Sequence, residues 1–355
     1  MMDRTQLEQL LSRCEPISDT DCRGLNLDGL DLSGQIFNKV DFSGASLRNA
    51  VLTETLFSEC VFDDADLSHA QFNKGMMTQS SVRRALLEHC RFVEHALVQC
   101  CLTESSWHNA TLDSCSFSAS DFSGARMALE AATKTTFHET RLEATDFSDS
   151  YLELVIFFQN NLTRTHFNGV YFDRVVMTEC DLTGMTFANQ TFHQCPFTRA
   201  NLTDTVFMEC EMPMCNFQNA RLNRATFEKT DCSNMLLMDA DLRDATFVEC
   251  IMPQSIWMNA LAVGIAVAGT DLTESIFHYA NCESGSFADA DLSRCDFSWS
   301  NLRQTRFQAV RLNDTVFHEA LLSDASLLRT TGAIASQPYL EEARAWRLSI
   351  GAAVR

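Results

Sequence analysis

Histidine and cysteine are the residues of this 355-residue chain that could hold a metal ion or attack a substrate, and the chain has nine histidines and fifteen cysteines. Their spacing is not that of a site. Five of the histidines lie at positions separated by multiples of five: His108, His138, His193, His278 and His318. A zinc site needs ligands that converge within about 2 Å of one ion, and the chain has no HExxH or CxxC sequence to bring such ligands together. We therefore expect no metal, no cofactor and no enzymatic activity.

The cysteines follow the same period of five. Ten of them share one phase: Cys60, Cys90, Cys100, Cys115, Cys180, Cys195, Cys210, Cys215, Cys250 and Cys295. The N-terminal sequence MMDRTQLEQLL lacks the basic start and apolar stretch of a secretory signal. No apolar run is long enough to cross a membrane. We therefore expect a cytoplasmic protein whose cysteines are reduced thiols in the core.

Phenylalanine gives the clearest view of the repeat. Of 26 phenylalanines, 25 lie at positions whose number leaves a remainder of two on division by five, and Phe158 alone is out of phase. Taking that phase as the centre, i, of a pentapeptide gives 62 consecutive centres from Cys22 to Leu327, none of them polar. Position i−2 holds Ala, Cys, Ser, Thr, Val or Gly in 52 of the 62 repeats. A period of five fits neither a helix nor an ordinary strand, and indicates a solenoid.

The sequence A(D/N)LXX recurs in this frame, for example at Ala65-Asp66-Leu67, Ala200-Asn201-Leu202, Ala240-Asp241-Leu242 and Ala290-Asp291-Leu292. It resembles the pentapeptide-repeat family. The resemblance implies a square coil of four pentapeptides, in which i and i−2 point inward and the other three positions face solvent. Residues 20 apart should then stack, as in the column Phe147, Phe167, Phe187, Phe207, Phe227 and Phe247. We expect an all-β solenoid, a right-handed quadrilateral parallel β-helix of about 15 coils with short capping helices at both ends.

Three regions are predicted along the chain. Residues 1–21 form an N-terminal helical cap, residues 22–331 the pentapeptide-repeat β-helix, and residues 332–355 a C-terminal helix. Asp3 and Gln6 fit the capping box of the first helix. The C-terminal helix either covers the end of the solenoid or builds a homodimer, as the resemblance to DNA-mimicking members of the family implies. Its apolar stripe has helical spacing and consists of Tyr339, Ala343, Trp346 and Ile350.

Some inward positions do not suit an apolar interior. His95 and Glu130 both lie at i−2, where an unpaired charge is costly. Three stretches also fit the repeat poorly: residues 73–85, 127–134 and 260–270. We expect bulges or displaced side chains at these places, and no long loop because the frame resumes without a slip.

With the interior fixed by the repeat, the information that selects a partner should lie in outward positions. Exposed aromatic residues anchor many protein interfaces, and two groups of residues combine such aromatics at a spacing of 20. The first candidate partner-binding group is Met258, Tyr279 and Trp299, and the second is Tyr151, Leu154, Phe158 and Tyr171. The alternative is that these are scattered exposed apolar residues without a function.

Two functions fit such a solenoid. The first is a non-enzymatic protein–protein interaction scaffold. Its opening, LNLDGLDLSG at residues 25–34, is similar to pentapeptide proteins encoded with bacterial type VI secretion components, which implies an accessory or effector-delivery role. The second is a DNA mimic that binds gyrase, a type II topoisomerase, as the resemblance to the quinolone-resistance members implies.

The charge of the chain favours the scaffold. A net charge of −20 disfavours direct binding of nucleic acid. Over the predicted length of about 74 Å, duplex DNA carries roughly 44 charges, so the charge density of this chain is about half that of DNA. Arginines also interrupt the acidic positions, for example Arg199, Arg221, Arg224 and Arg243. We therefore expect a protein partner and rank the DNA mimic second.

Overall fold

The computed structural model describes residues 3–13 and 15–332. Within these residues the chain forms one helix and 24 short strands, which wind into about 16 coils. Successive coils pair in parallel and in register at a spacing of 20 residues, as in Phe207↔Phe227 and Phe227↔Phe247. The predicted right-handed parallel β-solenoid is therefore confirmed. No helix in the described part of the chain is long and apolar enough to span a membrane.

The described strands form three parallel sheets, each along one side of the coil. The first sheet contains Ile17–Ser18, Ile36–Asn38, Leu56–Ser58, Met76–Thr78, Ala96–Val98, Ser116–Ser118, Thr136–His138, Ile156–Phe158 and Val176–Thr178. The second contains Gln71–Asn73, Arg91–Val93, Thr111–Asp113, Ala131–Thr133, Tyr151–Glu153, Tyr171–Asp173 and Thr191–His193. The third contains Thr186–Ala188, Val206–Met208, Thr226–Glu228, Thr246–Val248, Ala266–Ala268, Ser286–Ala288, Arg306–Gln308 and Ser326–Leu328. Isolated bridges such as Asp21↔Asp41 join the coils along the fourth side.

The interior consists of columns of side chains stacked along the solenoid. Phe227 lies between Phe207 and Phe247 in one column, with ring centroids 4.9 and 4.7 Å apart and nearly parallel planes. Rings from opposite sides of the coil meet edge to face across the interior, as Phe217 and Phe227 do at 87°. Both arrangements are favourable for aromatic pairs, so the interior is densely filled without metal or disulfide.

The preference for small polar residues at i−2 has a hydrogen-bonding cause. Thr205 Oγ1 donates to the carbonyl of Leu182 at 3.0 Å, and Cys250 Sγ donates to the carbonyl of Phe227 at 3.3 Å. Each donor thus reaches a backbone carbonyl of the preceding coil. Serine, threonine and cysteine can therefore be buried at this position without leaving their polar atom unpaired.

The N-terminal end is covered by a helix, Arg4–Leu11. Asp3 and Gln6 form the predicted capping box, and Leu7 is fully buried against the solenoid core. The first strand, Ile17–Ser18, lies one repeat before the predicted start at Cys22. This helix shields the open edge of the first coil, which would otherwise expose unpaired backbone groups.

The C-terminal end is open in the described part of the chain. The inward side chains of Leu322 and Leu327 are 41% and 50% exposed, because no described coil follows them. The predicted C-terminal helix lies outside the described residues, together with its stripe of Tyr339, Ala343, Trp346 and Ile350.

Glu130 and His95, the two residues unsuited to an inward position, are accommodated differently. Glu130 is displaced as predicted, since it is exposed and Leu129 is buried in its place. The prediction of a displaced side chain is wrong for His95, which is 1% exposed and packs edge-on against Phe72 and Phe92. Gly75, one coil earlier in the column, gives the imidazole room, because a Cβ there would lie 3.0 Å from His95 Cε1. The stretches at residues 73–85 and 260–270 keep the regular repeat, so the predicted bulges there are wrong.

The buried His95 should make stability depend on pH. Burial lowers the pKa of His95 from 6.5 to about 4, so the unfolded chain binds a proton at a higher pH than the folded chain. The contribution of His95 therefore lowers the stability of the folded state as the pH falls from about 6.5 to about 4, and this contribution does not change further below that range. Between pH 7 and pH 5 we expect a loss of about 2 kcal/mol that is absent from His95→Leu. Urea unfolding of both proteins at the two pH values measures it, and an equal loss in both would contradict the assignment.

The aromatic column should dominate stability. Phe227→Ala removes a fully buried ring that stacks on two others, and we expect the free energy of unfolding to fall by about 3–5 kcal/mol. The control is Glu228→Ala, at the adjacent outward position, which should change it by less than about 0.5 kcal/mol. Chemical denaturation followed by circular dichroism compares the two variants with the wild type.

Candidate protein-binding surfaces

The corners of the coil impose an unusual backbone conformation. Residues at i+2 have positive φ through most of the described solenoid, for example Asp239 and Asn259 at 57° and 58°. Glycine, asparagine and aspartate tolerate this left-handed conformation, whereas a bulky side chain there costs roughly 1–2 kcal/mol. Tyr279, Trp299 and Leu154 adopt it at 58°, 59° and 54°. Because almost every corner shares this conformation, it determines where these three side chains are displayed and is not by itself a sign of function.

The C-terminal aromatic patch consists of Met258, His278, Tyr279, Trp299 and His318. Tyr279 and Trp299 are 56% and 43% exposed and stack with ring centroids 5.2 Å apart and planes 10° apart. The rings of His278 and His318 contact Trp299 in a T-shaped arrangement, each with its ring centroid 5.5 Å from that of Trp299. Met258 is half-buried and precedes His278 by one coil on the same side. The repeat thus brings the predicted residues Tyr279 and Trp299 together with His278 and His318, whose spacing had not indicated a site.

A carboxylate anchors this patch. Asp296 Oδ2 lies 2.8 Å from His278 Nε2, although the angle between them does not satisfy hydrogen-bond geometry. Ser298 donates to Asp296 Oδ1 from its backbone N–H and its hydroxyl, at 2.9 and 2.5 Å. Burial alone would raise the pKa of Asp296, but His278 and the Ser298 hydrogen bonds outweigh it and lower the pKa. Asp296 is therefore ionised and lies beside the His278 ring that contacts Trp299.

The central aromatic patch consists of Tyr151, Leu154, Phe158 and Tyr171. The two tyrosines pair in register on the second sheet, with parallel rings 5.3 Å apart. Phe158 lies in Ile156–Phe158 of the first sheet and stacks on His138 at 5.5 Å. Leu154 occupies the corner between them. The four residues predicted as one group therefore lie on two adjoining sides of the coil.

Charged groups border the tyrosines. Asp173, two residues after Tyr171, accepts hydrogen bonds from Arg174 Nη2 at 2.9 Å and from His193 Nδ1 at 2.7 Å. These hydrogen bonds, first that of Arg174, lower the pKa of Asp173. Arg174 also reaches Glu153 at 2.6 Å, which ties the two strands of the patch together. The aromatic surface is thus rimmed by fixed charges, as is common at protein interfaces.

The sequence reasoning missed a third apolar surface, the N-terminal aliphatic row. It consists of Ile36, Leu56 and Met76, which are 43%, 43% and 42% exposed and pair in register on three successive coils. The row contains no aromatic residue, and exposed aromatics were the signal that indicated the other two surfaces. The same spacing of 20 applied to aliphatic residues at i−1 identifies this row from the sequence alone.

Arginines neutralise many carboxylates one coil away. Arg84 and Asp64 are 2.7 Å apart, as are Arg224 and Asp204. In both pairs the hydrogen bond from the guanidinium lowers the pKa of the carboxyl. Further pairs of this kind are Arg294–Glu274 and Arg311–Asp291. The acidic positions of the described coils are thus interrupted by fixed positive charge.

The residues that could bind a metal ion or act as nucleophiles are dispersed over the described solenoid. No group of three or more His, Cys, Asp or Glu in the described part of the chain could hold a metal ion. Burial raises the pKa of the Cys60 and Cys90 thiols to about 11 and about 12. Cys101 is half-buried, and Arg83 Nε lies 3.1 Å from its sulfur, a neighbour that sequence adjacency did not reveal. Arginine supplies a donor but no base, so this contact does not make a nucleophilic dyad.

Solved structures of pentapeptide-repeat proteins are similar to this chain at low identity. The full-length plasmid-mediated fluoroquinolone resistance protein QnrB1 is 16% identical, with 49% of this chain and 99% of that chain covered and a TM-score of 0.35. HetL, a pentapeptide-repeat protein involved in heterocyst differentiation regulation from the cyanobacterium Nostoc, is 17% identical, with 95% and 99% covered and a TM-score of 0.17. These superpositions are too poor to support any argument about function.

Sequence comparison identifies the family. A family model of pentapeptide repeats matches residues 17–53, 90–127, 215–252 and 290–329. A second pentapeptide-repeat model matches residues 37–76. No curated protein matches the chain significantly. With the unbroken five-residue frame and the stacked columns inside the coils, these matches establish that the chain belongs to the pentapeptide-repeat family.

Proposed function

We propose that this protein is a non-enzymatic scaffold that binds protein partners through its outward faces. The observation that carries the proposal is the stacked pair of Tyr279 and Trp299 at two left-handed corners. Two large aromatic side chains are exposed there, in a backbone conformation that asparagine, aspartate or glycine would adopt with less strain. These rings are exposed to water in the free protein, and burying them against a partner contributes favourable free energy to binding.

The patch is suited to binding because it is rigid. Trp299 stacks on Tyr279 and makes T-shaped contacts with His278 and His318. Side chains that are already ordered lose little conformational entropy when a partner covers them. Tryptophan and tyrosine also predominate among the residues that contribute most to protein association. The central aromatic patch has the same stacked geometry at Tyr151 and Tyr171 and is proposed as a second docking surface.

The C-terminal region could determine whether the protein is a monomer or a dimer. Leu322 and Leu327 present apolar side chains at the open end of the solenoid. We propose that residues 332–355 form the third region of the chain and cover these leucines, as a cap or by pairing with a second copy. Residues 1–21 and 22–331 remain the proposed N-terminal cap and repeat domain.

A narrower role is an accessory or effector-delivery component of a bacterial secretion system. It is motivated by residues 25–34, whose sequence is similar to proteins encoded with type VI secretion components. In such a role the solenoid would act as an adaptor that presents its patches to a secreted partner.

The DNA mimic of gyrase is the second candidate. The net charge of −20 favours it, but the ion pairs that Arg84 and Arg224 make with carboxylates one coil away weaken it. A mimic of duplex DNA needs an acidic surface that is repeated along the rod at close to one charge per about 1.7 Å.

The C-terminal aromatic patch should be required for partner binding. We expect Tyr279→Ala combined with Trp299→Ala to reduce recovery of a partner by roughly tenfold or more, because both exposed rings are lost. The measurement is co-purification with the tagged full-length chain from the cells that express it, quantified by mass spectrometry.

The matched control is Met214→Ala. Met214 is also a large apolar residue at a left-handed corner and is 47% exposed, but it lies outside both aromatic patches. It should leave partner recovery unchanged. Equal recovery with the double variant and the wild type would refute the proposed surface.

Gyrase should not respond to this protein. Because its acidic positions are interrupted by arginine, we expect the purified chain at micromolar concentration neither to inhibit DNA supercoiling nor to protect gyrase from a quinolone. A supercoiling assay measures both effects. Inhibition that persists after Tyr279→Ala and Trp299→Ala would favour the DNA mimic over the scaffold.

A further inference from the structure

The hydrogen-bond ladder on one side of the solenoid is interrupted. Between the coils of Phe147 and Phe167 three backbone bonds are present: Phe147 N–H to His166 O at 2.8 Å, His166 N–H to Thr145 O at 2.9 Å, and Asp149 N–H to Asn168 O at 2.9 Å. One coil later, the corresponding N–H groups of Phe167, Thr186 and Gly169 make no backbone hydrogen bond within the described residues. Strand Thr186–Ala188 is accordingly the end strand of its sheet.

The interruption is most complete on this side. Phe167 stacks on Phe147 at 5.5 Å and Phe187 stacks on Phe207 at 5.3 Å, but the two central rings make no ring contact in the described structure. The other three sides remain in contact at the same level, although Thr191 N–H makes no backbone hydrogen bond within the described residues and Pro196 has no N–H to donate. Their contacts are Phe172–Phe192 at 4.7 Å, Leu162 N–H to Asp181 O at 2.8 Å, and Met177 N–H to Pro196 O at 2.8 Å.

We name this feature the ladder gap, formed by residues 163–168 and 184–190. It encloses a hollow of about 460 Å³ whose lining includes Phe167 and Phe187. Arg164 and His166 line it from one coil, and Met185 and Gln190 from the next. The hollow thus has an apolar floor and unpaired backbone groups along both edges.

Two long side chains account for the gap. Met185 and Gln190 lie at i−2 on either side of Phe187, where the repeat normally has small residues. The neighbours of Met185 in its column are Thr165 and Thr205. One long side chain at i−2 is not enough to open the ladder, because Met235 also lies at i−2, is fully buried, and has closed ladders around it. With Gln190 at the next inward position, Met185 is not fully accommodated in the interior and stays partly exposed, and the coils separate there.

Gln190 supplies an independent sign of a missing partner. Its side chain is 6% exposed, lines the hollow, and has no hydrogen-bond partner for Oε1. A buried amide oxygen without a donor is rare in folded proteins, because its lost hydration is not replaced. The site therefore combines an unpaired side-chain acceptor with unpaired backbone donors and acceptors in strand geometry.

We propose that the ladder gap binds an extended segment of a partner protein by strand addition. The free N–H groups of Phe167 and Gly169 and the free edge of Thr186–Ala188 match the backbone of an extended polypeptide. One apolar side chain of that segment enters between Phe167 and Phe187, and a donor from it reaches Gln190 Oε1. The inference rests on the proposed scaffold function, but it uses a side of the coil that carries neither Tyr171 nor Trp299.

The first test is a proline at the free edge. The N–H of Thr186 is unpaired, so Thr186→Pro should leave folding unchanged but obstruct an added strand. The matched control is Thr226→Pro, at the same position two coils later, where the N–H donates to Thr205 O at 2.9 Å. That variant should lower the unfolding midpoint without changing binding to the gap.

The probe is a library of short linear peptides displayed on phage and selected against the full-length chain. We expect enriched peptides to share one apolar residue, and Thr186→Pro to weaken their binding by roughly tenfold or more in fluorescence anisotropy. Hydrogen exchange should show fast exchange at Phe167, Gly169 and Thr186 in the free protein, and protection when a peptide is bound.

A second variant closes the gap. Met185→Thr with Gln190→Val restores small residues at both inward positions. The N–H groups of Phe167, Gly169 and Thr186 should then become protected from exchange without peptide, and peptide binding should be lost. Met235→Thr is its control and should retain binding. Tyr279→Ala with Trp299→Ala should also retain peptide binding, which separates failure of this proposal from failure of the aromatic patch.

Several results would overturn the proposal. One is the absence of enriched peptides, and another is peptide binding to Thr186→Pro as tight as to the wild type. A third is protection of the three amides in the free wild type. If deletion of residues 333–355 then exposes those amides, the chain fills the gap with its own segment and no partner strand is needed.

Discussion

The in-register stacking of each side chain on the one 20 residues earlier is the constraint on which the rest of this structure depends. It aligns the backbone groups of adjacent coils, so that N–H and C=O pair without a helix or a long strand. It also places like residues over like, as in the parallel rings of Phe207, Phe227 and Phe247. Side-chain packing and main-chain hydrogen bonding are therefore satisfied by one spacing.

The same constraint organises the outside of the solenoid. Outward residues also repeat at the spacing between coils, so surface features extend in rows along the rod. The tyrosines at 151 and 171 form an aromatic row, and Ile36, Leu56 and Met76 form an aliphatic one. Asp64 and Arg84 pair along the same direction. A partner that recognises this protein meets linear arrays, which suits extended or helical segments.

The regular part of the fold could be predicted from the sequence because one spacing determines it. The phase of the phenylalanines alone placed the interior and the columns. His95 could not be predicted, because its burial depends on the space that Gly75 leaves one coil earlier. The exposure of Glu130 could be predicted, because burying an unpaired charge is costly. The burial of Leu129 in its place could not, because it depends on the backbone conformation there.

The candidate surfaces were only partly predictable. The pairing of Tyr279 with Trp299 follows from spacing, whereas the edge contacts of His278 and His318 depend on side-chain rotamers. Phe158 was assigned to the tyrosine group by nearness in sequence, but the corner at Leu154 turns it to another side. The ladder gap arises from the combined size of Met185 and Gln190, a coupling that residue types considered singly do not express.

The ladder gap also bears on how the solenoid folds and unfolds. In a linear array each coil is stabilised by its two neighbours, and the coupling between the coils of Phe167 and Phe187 lacks one of its four ladders. Cooperativity should therefore be lowest at this seam. The two parts of the solenoid on either side of this seam should then unfold separately, and mild denaturation should melt one while the other stays intact.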